Sequence, residues 1–173
     1  MKFSDLKLSD PILRSLQDQN YKEPTPIQAD VIPAILNKSD VMAAAQTGTG
    51  KTAAFVLPIL SILSNPKNKY KGHQLRALIV TPTRELAAQV RESVNTYSKY
   101  LSIRSTAVYG GARIHNQQLK LRKGIDVLVA TPGRLLDLYN QKSVNFKNIE
   151  MFVLDEADQM LDMGFIHDIK KIA

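Results

Sequence analysis

The sequence predicts an α/β fold, a mostly parallel sheet with helices on both faces. Three observations carry the prediction. Ala77–Val80, Val127–Ala130 and Met151–Leu154 are short, unbroken apolar runs, as expected of strands buried on both faces. Stretches with helical spacing fall between them, so strand and helix alternate. The apolar run Asp40-Val41-Met42-Ala43-Ala44 leads into Ala45-Gln46-Thr47-Gly48-Thr49-Gly50-Lys51-Thr52, a glycine-rich turn before a helix-forming stretch.

Asp10 to Gln19 and Gln28 to Leu36 open the chain as helices. The first strand is expected at Val41–Ala45 and the next helix at Gly50–Leu63. Strand Ala77–Val80 precedes helix Thr83–Ser98, and strand Ser105–Tyr109 precedes helix Ile114–Lys123. Strand Val127–Ala130 precedes helix Gly133–Asn140, and Met151–Leu154 is the last strand. The residues after it, Gln159-Met160-Leu161-Asp162-Met163-Gly164-Phe165, have helical apolar spacing and read as packing. No low-complexity tract or interior linker breaks the alternation.

At 173 residues the chain has the length of one domain with a substantial core. No apolar run approaches the roughly 18 residues of a membrane span, and the start, Met1-Lys2-Phe3-Ser4-Asp5, lacks a signal peptide's apolar segment. Zero cysteines exclude a disulfide framework and fit a cytoplasmic location. His73, His115 and His167 stand apart, without metal-ligand spacing. A net charge of +7 points modestly to a polyanionic partner.

The glycine-rich turn carries the chemistry. Its backbone can curl so that successive N–H groups converge on an anion at a helix N-terminus. Lys51 adds a point charge for β- and γ-phosphates, and the Thr52 hydroxyl offers a ligand to Mg²⁺. The general phosphate-loop pattern opens with Gly, and Ala45 stands there instead. Downstream, Met151–Leu154 ends in Asp155-Glu156-Ala157-Asp158. Carboxylates at the carboxyl end of such a strand lie where open α/β sheets bind ligands. Asp155 can hold Mg²⁺, and Glu156 can orient and deprotonate the water that attacks the γ-phosphate.

An internal echo suggests a second ligand. Leu78-Ile79-Val80-Thr81-Pro82-Thr83-Arg84 resembles Leu128-Val129-Ala130-Thr131-Pro132-Gly133-Arg134. Each reads as a strand, a Thr N-cap, Pro at the first helical position and an Arg in the first turn. Two such helix starts at one sheet edge, each with a guanidinium beside it, could grip two phosphates of one nucleic-acid strand. Gly110-Gly111-Ala112-Arg113 ends a third strand, where absent side chains would admit a sugar-phosphate backbone. Thr-Pro is also a common helix start, which explains either copy alone. Contacts of this kind read backbone rather than base.

Together these motifs resemble the first, ATP-binding domain of the DEAD-box RNA helicases of bacterial type, a RecA-like P-loop domain. Asp155-Glu156-Ala157-Asp158 spells the family's name, and Ala45 to Thr52 matches its form of the phosphate loop, Ala included. The resemblance implies ATP and Mg²⁺ as cofactors, Lys51, Asp155 and Glu156 as catalytic residues, and Asp158 in coupling. It implies that Pro82, Thr83, Arg84, Gly110, Gly111, Thr131, Pro132, Gly133 and Arg134 contact RNA without sequence preference. Tyr21-Lys22-Glu23-Pro24-Thr25-Pro26-Ile27-Gln28 resembles the adenine-recognition motif, with Asn20 where the family often has Gly. By the same resemblance Gln28 hydrogen-bonds the adenine edge and Phe3 stacks on its face. The implied organisation is an adenine-recognition segment at 1–28 and a RecA-like domain at 29–173.

That domain is expected to be truncated before its last strand or strands. A Ser-Ala-Thr motif that the family places after the acidic one does not occur, and a second RecA-like domain is missing. The absent strand belongs between the phosphate-loop strand and the Asp155 strand, so its loss would leave backbone groups unpaired at a cost on the order of several kcal/mol. The expectation is half of an ATP-dependent RNA helicase with little turnover alone. The alternatives are a non-catalytic nucleotide- or RNA-binding module and a DNA-directed P-loop ATPase.

Overall fold

The alternation of apolar runs and amphipathic stretches folds as α/β. In the computed structural model, residues 1–44, 50–65 and 72–165, with His167 and Lys170, are described. They divide into two compact units, Met1–Lys69 with Glu92–Ile103, and Tyr70–Arg91 with Arg104–Ala173.

The first unit is helical among its described residues. A 3₁₀ turn at Phe3–Leu6 precedes α1 (Asp10–Asp18), α2 (Pro26–Leu36) and α3 (Lys51–Leu63). Thr25 and Gln28 form a reciprocal capping box on α2, with Pro26 at its first position. α3 is apolar nearly all round, from Ala53 to Leu60, and is buried accordingly. It packs against α2, with Ile12, Leu16, Ile32, Leu57 and Leu60 fully enclosed. The Tyr100 hydroxyl and Lys99 both donate to the Asp18 carboxylate, and they hold its pKa below the ordinary value. Burial, with Tyr21 beside it, raises the pKa of the Tyr97 hydroxyl.

The expected strand at Val41–Ala45 is not found. Residues 41–44 carry no strand, and Ala45 lies outside the described residues. Met42 is 100% exposed. Apolar residues form a strand only when a neighbour accepts the backbone hydrogen bonds, and among the described residues this segment has no such neighbour.

The second unit holds a four-stranded, all-parallel sheet in the order β2-β3-β1-β4. Its strands are β1 (Ala77–Val80), β2 (Ser105–Val108), β3 (Val127–Ala130) and β4 (Met151–Leu154). The connecting helices are α4 (Arg84–Tyr97), whose later turns belong to the first unit, α5 (Ile114–Arg122) and α6 (Pro132–Asn140); α7 (Ala157–Asp162) follows β4. The register aligns Val108, Ala130, Val80 and Leu154 across the sheet, so these four share a face. They pack on Leu135, Leu138 and Met160 of α6 and α7.

The amino ends of the strands are pinned by charge. The Asp126 carbonyl accepts from the N–H groups of Arg76 and Ala77, while its carboxylate accepts the Arg104 N–H and meets His73 Nδ1 at 2.6 Å. Arg76 Nε donates to Glu150 Oε2 at 2.8 Å, and its Nη2 lies 2.8 Å from the same oxygen as an ion pair. With the starts fixed, the carboxyl ends are free to carry loops. β4 lies at the sheet's edge, and its Phe152 is 39% exposed.

Candidate nucleotide and nucleic-acid site

The capping box that starts α2 also reaches α3. Gln28, only 6% exposed, accepts the Thr25 N–H on Oε1 at 3.0 Å and donates from Nε2 to the Gly50 carbonyl at 3.1 Å. Gly50 is the N-cap of α3 with φ +82°. The positive φ calls for glycine, and a Cβ there, 2.4 Å from Gln28 Nε2, would displace the Gln28 amide. Lys51 and Thr52 follow as the first, half-buried residues of α3. The first N–H groups of a helix lack intrahelical acceptors, and the dipole there favours an anion. Ala45, Gln46, Thr47, Gly48 and Thr49, the rest of the expected phosphate loop, lie outside the described residues.

Phe3 is buried at 5% exposure in the 3₁₀ turn that packs against α2.

Four loops leave the carboxyl edge of the sheet in the second unit. After β1, Thr81 and Pro82 are buried and are not the cap and first residue expected of them. α4 starts at Arg84, and Thr83 caps it, its hydroxyl accepting the Leu86 N–H at 3.2 Å and its carbonyl the Ala87 N–H at 3.0 Å. After β3 the expectation holds, with Thr131 as N-cap and Pro132 first in α6. The physical reason for the difference lies two residues after each Thr. Thr83 has a hydroxyl that can cap a helix, whereas Gly133 has none, so α6 begins earlier on the φ that Pro132 presets.

The loop after β2 draws both arginines of the echo. Gly111 has φ +85°, and a Cβ on it would lie 3.4 Å from Arg84 Nη1. The Arg84 guanidinium sits 5.0 Å from the centre of the Tyr109 ring. Arg134 Nη1 donates to the Ala112 carbonyl and to Gln117 Oε1, each at 2.9 Å. The two guanidiniums therefore differ: Arg84 is exposed, while Arg134 is largely covered and engaged within the protein.

After β4, the ladder continues one residue further, with the Asp155 N–H donating to the Val80 carbonyl at 2.9 Å. Asp155 is 5% exposed. Glu156 adopts a left-handed conformation, φ 57° and ψ 48°, as N-cap of α7. Such a conformation costs a non-glycine residue on the order of 1–2 kcal/mol, and it turns the chain sharply between Asp155 and Asp158. Asp158 is exposed in the first turn of α7.

The family model for DEAD/DEAH box helicases matches residues 25–173. The chain belongs to the DEAD/DEAH box helicase family. It is 45% identical over 98% of its length to the DEAD-box ATP-dependent RNA helicase CshA of Bacillus cereus, and 46% identical to the ATP-dependent RNA helicase CshA of Limosilactobacillus reuteri. A crystal structure of a DEAD box protein from Methanococcus jannaschii superposes with a TM-score of 0.91 at 42% identity, over 99% of this chain and 46% of that one. The fold is thus the RecA-like α/β domain of DEAD-box proteins. The chain spans about a third of the length of the curated CshA relatives, 31% and 34%.

Two residues at this DEAD-box edge carried no signal in the sequence. Tyr109 supplies the ring under Arg84, and Gln117 joins Arg134 to the Tyr109 carbonyl. Gln117 sits beside Gln118 in a polar stretch that looks uniformly solvated; only its burial sets it apart.

Proposed function

We propose that this chain is the ATP-binding and RNA-backbone-binding half of a DEAD-box RNA helicase, with ATP hydrolysis coupled to duplex opening in the complete protein. The observation that carries the reading is the Gln28 amide bonded to the Gly50 carbonyl. It ties the adenine-recognition segment to the residue that starts the phosphate-binding helix.

Gln28 still has a second amide hydrogen and a second lone pair, the donor and acceptor that adenine's edge requires. Phe3, buried in the 3₁₀ turn that contacts α2, is the aromatic that the resemblance assigns to the adenine face. The start of α3 takes the phosphates, with Gly50 leaving the approach clear and Lys51 adding charge. Ala45, Gln46, Thr47, Gly48 and Thr49 complete that loop in this reading. The buried Asp155 carboxylate and the Thr52 hydroxyl, both hard oxygen donors, suit Mg²⁺. The ion, when bound with ATP, neutralises charge on the β- and γ-phosphates. Glu156 orients the attacking water and takes its proton, and Asp158 serves in coupling.

RNA runs along the carboxyl edge of the sheet in the second unit. Pro82, Thr83 and Arg84, the Gly110–Gly111 turn, and Thr131, Pro132, Gly133 and Arg134 line its path. The contacts address phosphate and sugar, so little base preference is expected. In the complete protein a second domain supplies the transition-state arginines, which contribute roughly 10³–10⁵ in rate. The location is cytoplasmic in this reading; among the described residues no helix is long and apolar enough to cross a membrane.

The test is steady-state ATPase measurement on the 173-residue chain, with and without RNA. Weak turnover without RNA stimulation is expected. Robust RNA-stimulated turnover, or strand separation, would overturn the half-site reading. A non-catalytic binding module is favoured instead if nucleotide and RNA bind but no turnover is detectable.

A further inference from the structure

We infer that Gln117 is the positioning residue of the RNA-facing edge, a role that rests on the RNA reading above. It lies on α5, is 7% exposed, and its amide is used at both ends. Nε2 donates to the Tyr109 carbonyl at 3.1 Å, and Oε1 accepts from Arg134 Nη1 at 2.9 Å. The same Nη1 donates to the Ala112 carbonyl. The Gly110-Gly111 turn is thereby pinned on both flanks, by Gln117 at Tyr109 and by Arg134 at Ala112.

This arrangement has an electrostatic consequence. A backbone carbonyl that faces a phosphate repels it. Here the carbonyls on either side of the glycines are drawn into the protein by donors. The exposed turn between them is left open to an anionic strand, with Arg84 beside Gly111. Gln117 also helps set the direction of the half-buried Arg134 guanidinium, whose Nη1 donates to it. An amide does both tasks without adding a buried charge. Glutamate could accept from Arg134 but could not donate to Tyr109, and leucine could do neither.

The experiment measures binding of a fluorescent ten-nucleotide single-stranded RNA to the 173-residue chain by anisotropy, across a range of salt. Parent, Gln117→Leu and Gln117→Glu are compared, and the rise in melting midpoint with Mg-ATP is recorded for each. Gln117→Leu is expected to weaken RNA binding about tenfold. Its salt dependence should flatten by roughly 0.7 in log–log slope for each phosphate that the variant no longer neutralises. The Mg-ATP response should match the parent's, because the nucleotide residues of the first unit are untouched. Gln117→Glu should fall between parent and Gln117→Leu. A Gln117→Leu chain with the parent's affinity and salt slope overturns the inference, and so does a loss of RNA binding matched by an equal loss of the Mg-ATP response. If the parent itself does not bind the RNA, the RNA reading under the proposed function fails, and the Gln117 role falls with it.

Discussion

The side-chain amide of Gln28 donates to the main-chain carbonyl of Gly50 across 3.1 Å, and that bond joins two motifs that lie 22 residues apart. A change in the phosphate-binding turn is therefore felt by the residue proposed to read adenine, and the reverse.

Replacing Gln28 by Glu keeps the acceptor for the Thr25 N–H but removes the donor to Gly50, setting two oxygens against each other. The Gly50 carbonyl would keep the Ala54 N–H but lose the amide donor and face a carboxylate oxygen in its place. Mg-ATP binding by Gln28→Glu, followed by calorimetric titration, should be at least tenfold weaker than the parent's. Gly50→Ala should be worse in stability as well, because φ +82° strains any residue with a Cβ and that Cβ would displace the Gln28 amide. Parent-like affinity in Gln28→Glu would remove the coupling from the account.

Lys51 and Glu156 separate binding from chemistry. Ligand at a hundredfold excess over its Kd stabilises the native state by about 2.7 kcal/mol, so Mg-ATP should raise the melting midpoint of the parent. Lys51→Ala should abolish that rise, while Glu156→Gln should retain it and lose turnover. If both variants respond as the parent does, the phosphate site lies elsewhere.

The backbone at Glu156 predicts an opposition between stability and activity. Its left-handed conformation suits glycine, so Glu156→Gly should be more stable than Glu156→Ala by about 1 kcal/mol. Neither variant should hydrolyse ATP. Equal denaturant midpoints for the two would show that the strain is not present in solution.

Tyr97 gives the pH dependence. Burial, with Tyr21 nearby, raises its folded-state pKa above the ordinary 10.0. Above pH 10 the unfolded chain therefore loses this proton while the folded chain keeps it, and stability falls as pH rises. The contribution is complete below the unfolded value and disappears as pH passes through the folded one. Tyr97→Phe should flatten the decline of the melting midpoint between pH 9 and pH 11. A decline as steep as the parent's would place the titrating group elsewhere.

Much of this was legible from residue order alone. Strands Ala77–Val80, Val127–Ala130 and Met151–Leu154 fall where the apolar runs predict, because a strand buried on both faces needs apolar residues at every position. The family was equally readable, since its motifs rest on local spacing. Tertiary structure decided the rest. Val41 to Ala44 has strand-like composition but no strand, because pairing depends on a neighbouring backbone that composition does not supply. Thr81-Pro82 and Thr131-Pro132 look alike yet cap differently, because one side chain two residues later competes for the helix start. The inward turn of Arg134 and the bridging by Gln117 appear only when three separate segments meet around one loop. Local propensity is written in neighbouring residues; hydrogen-bond partners distant in sequence are chosen by the fold.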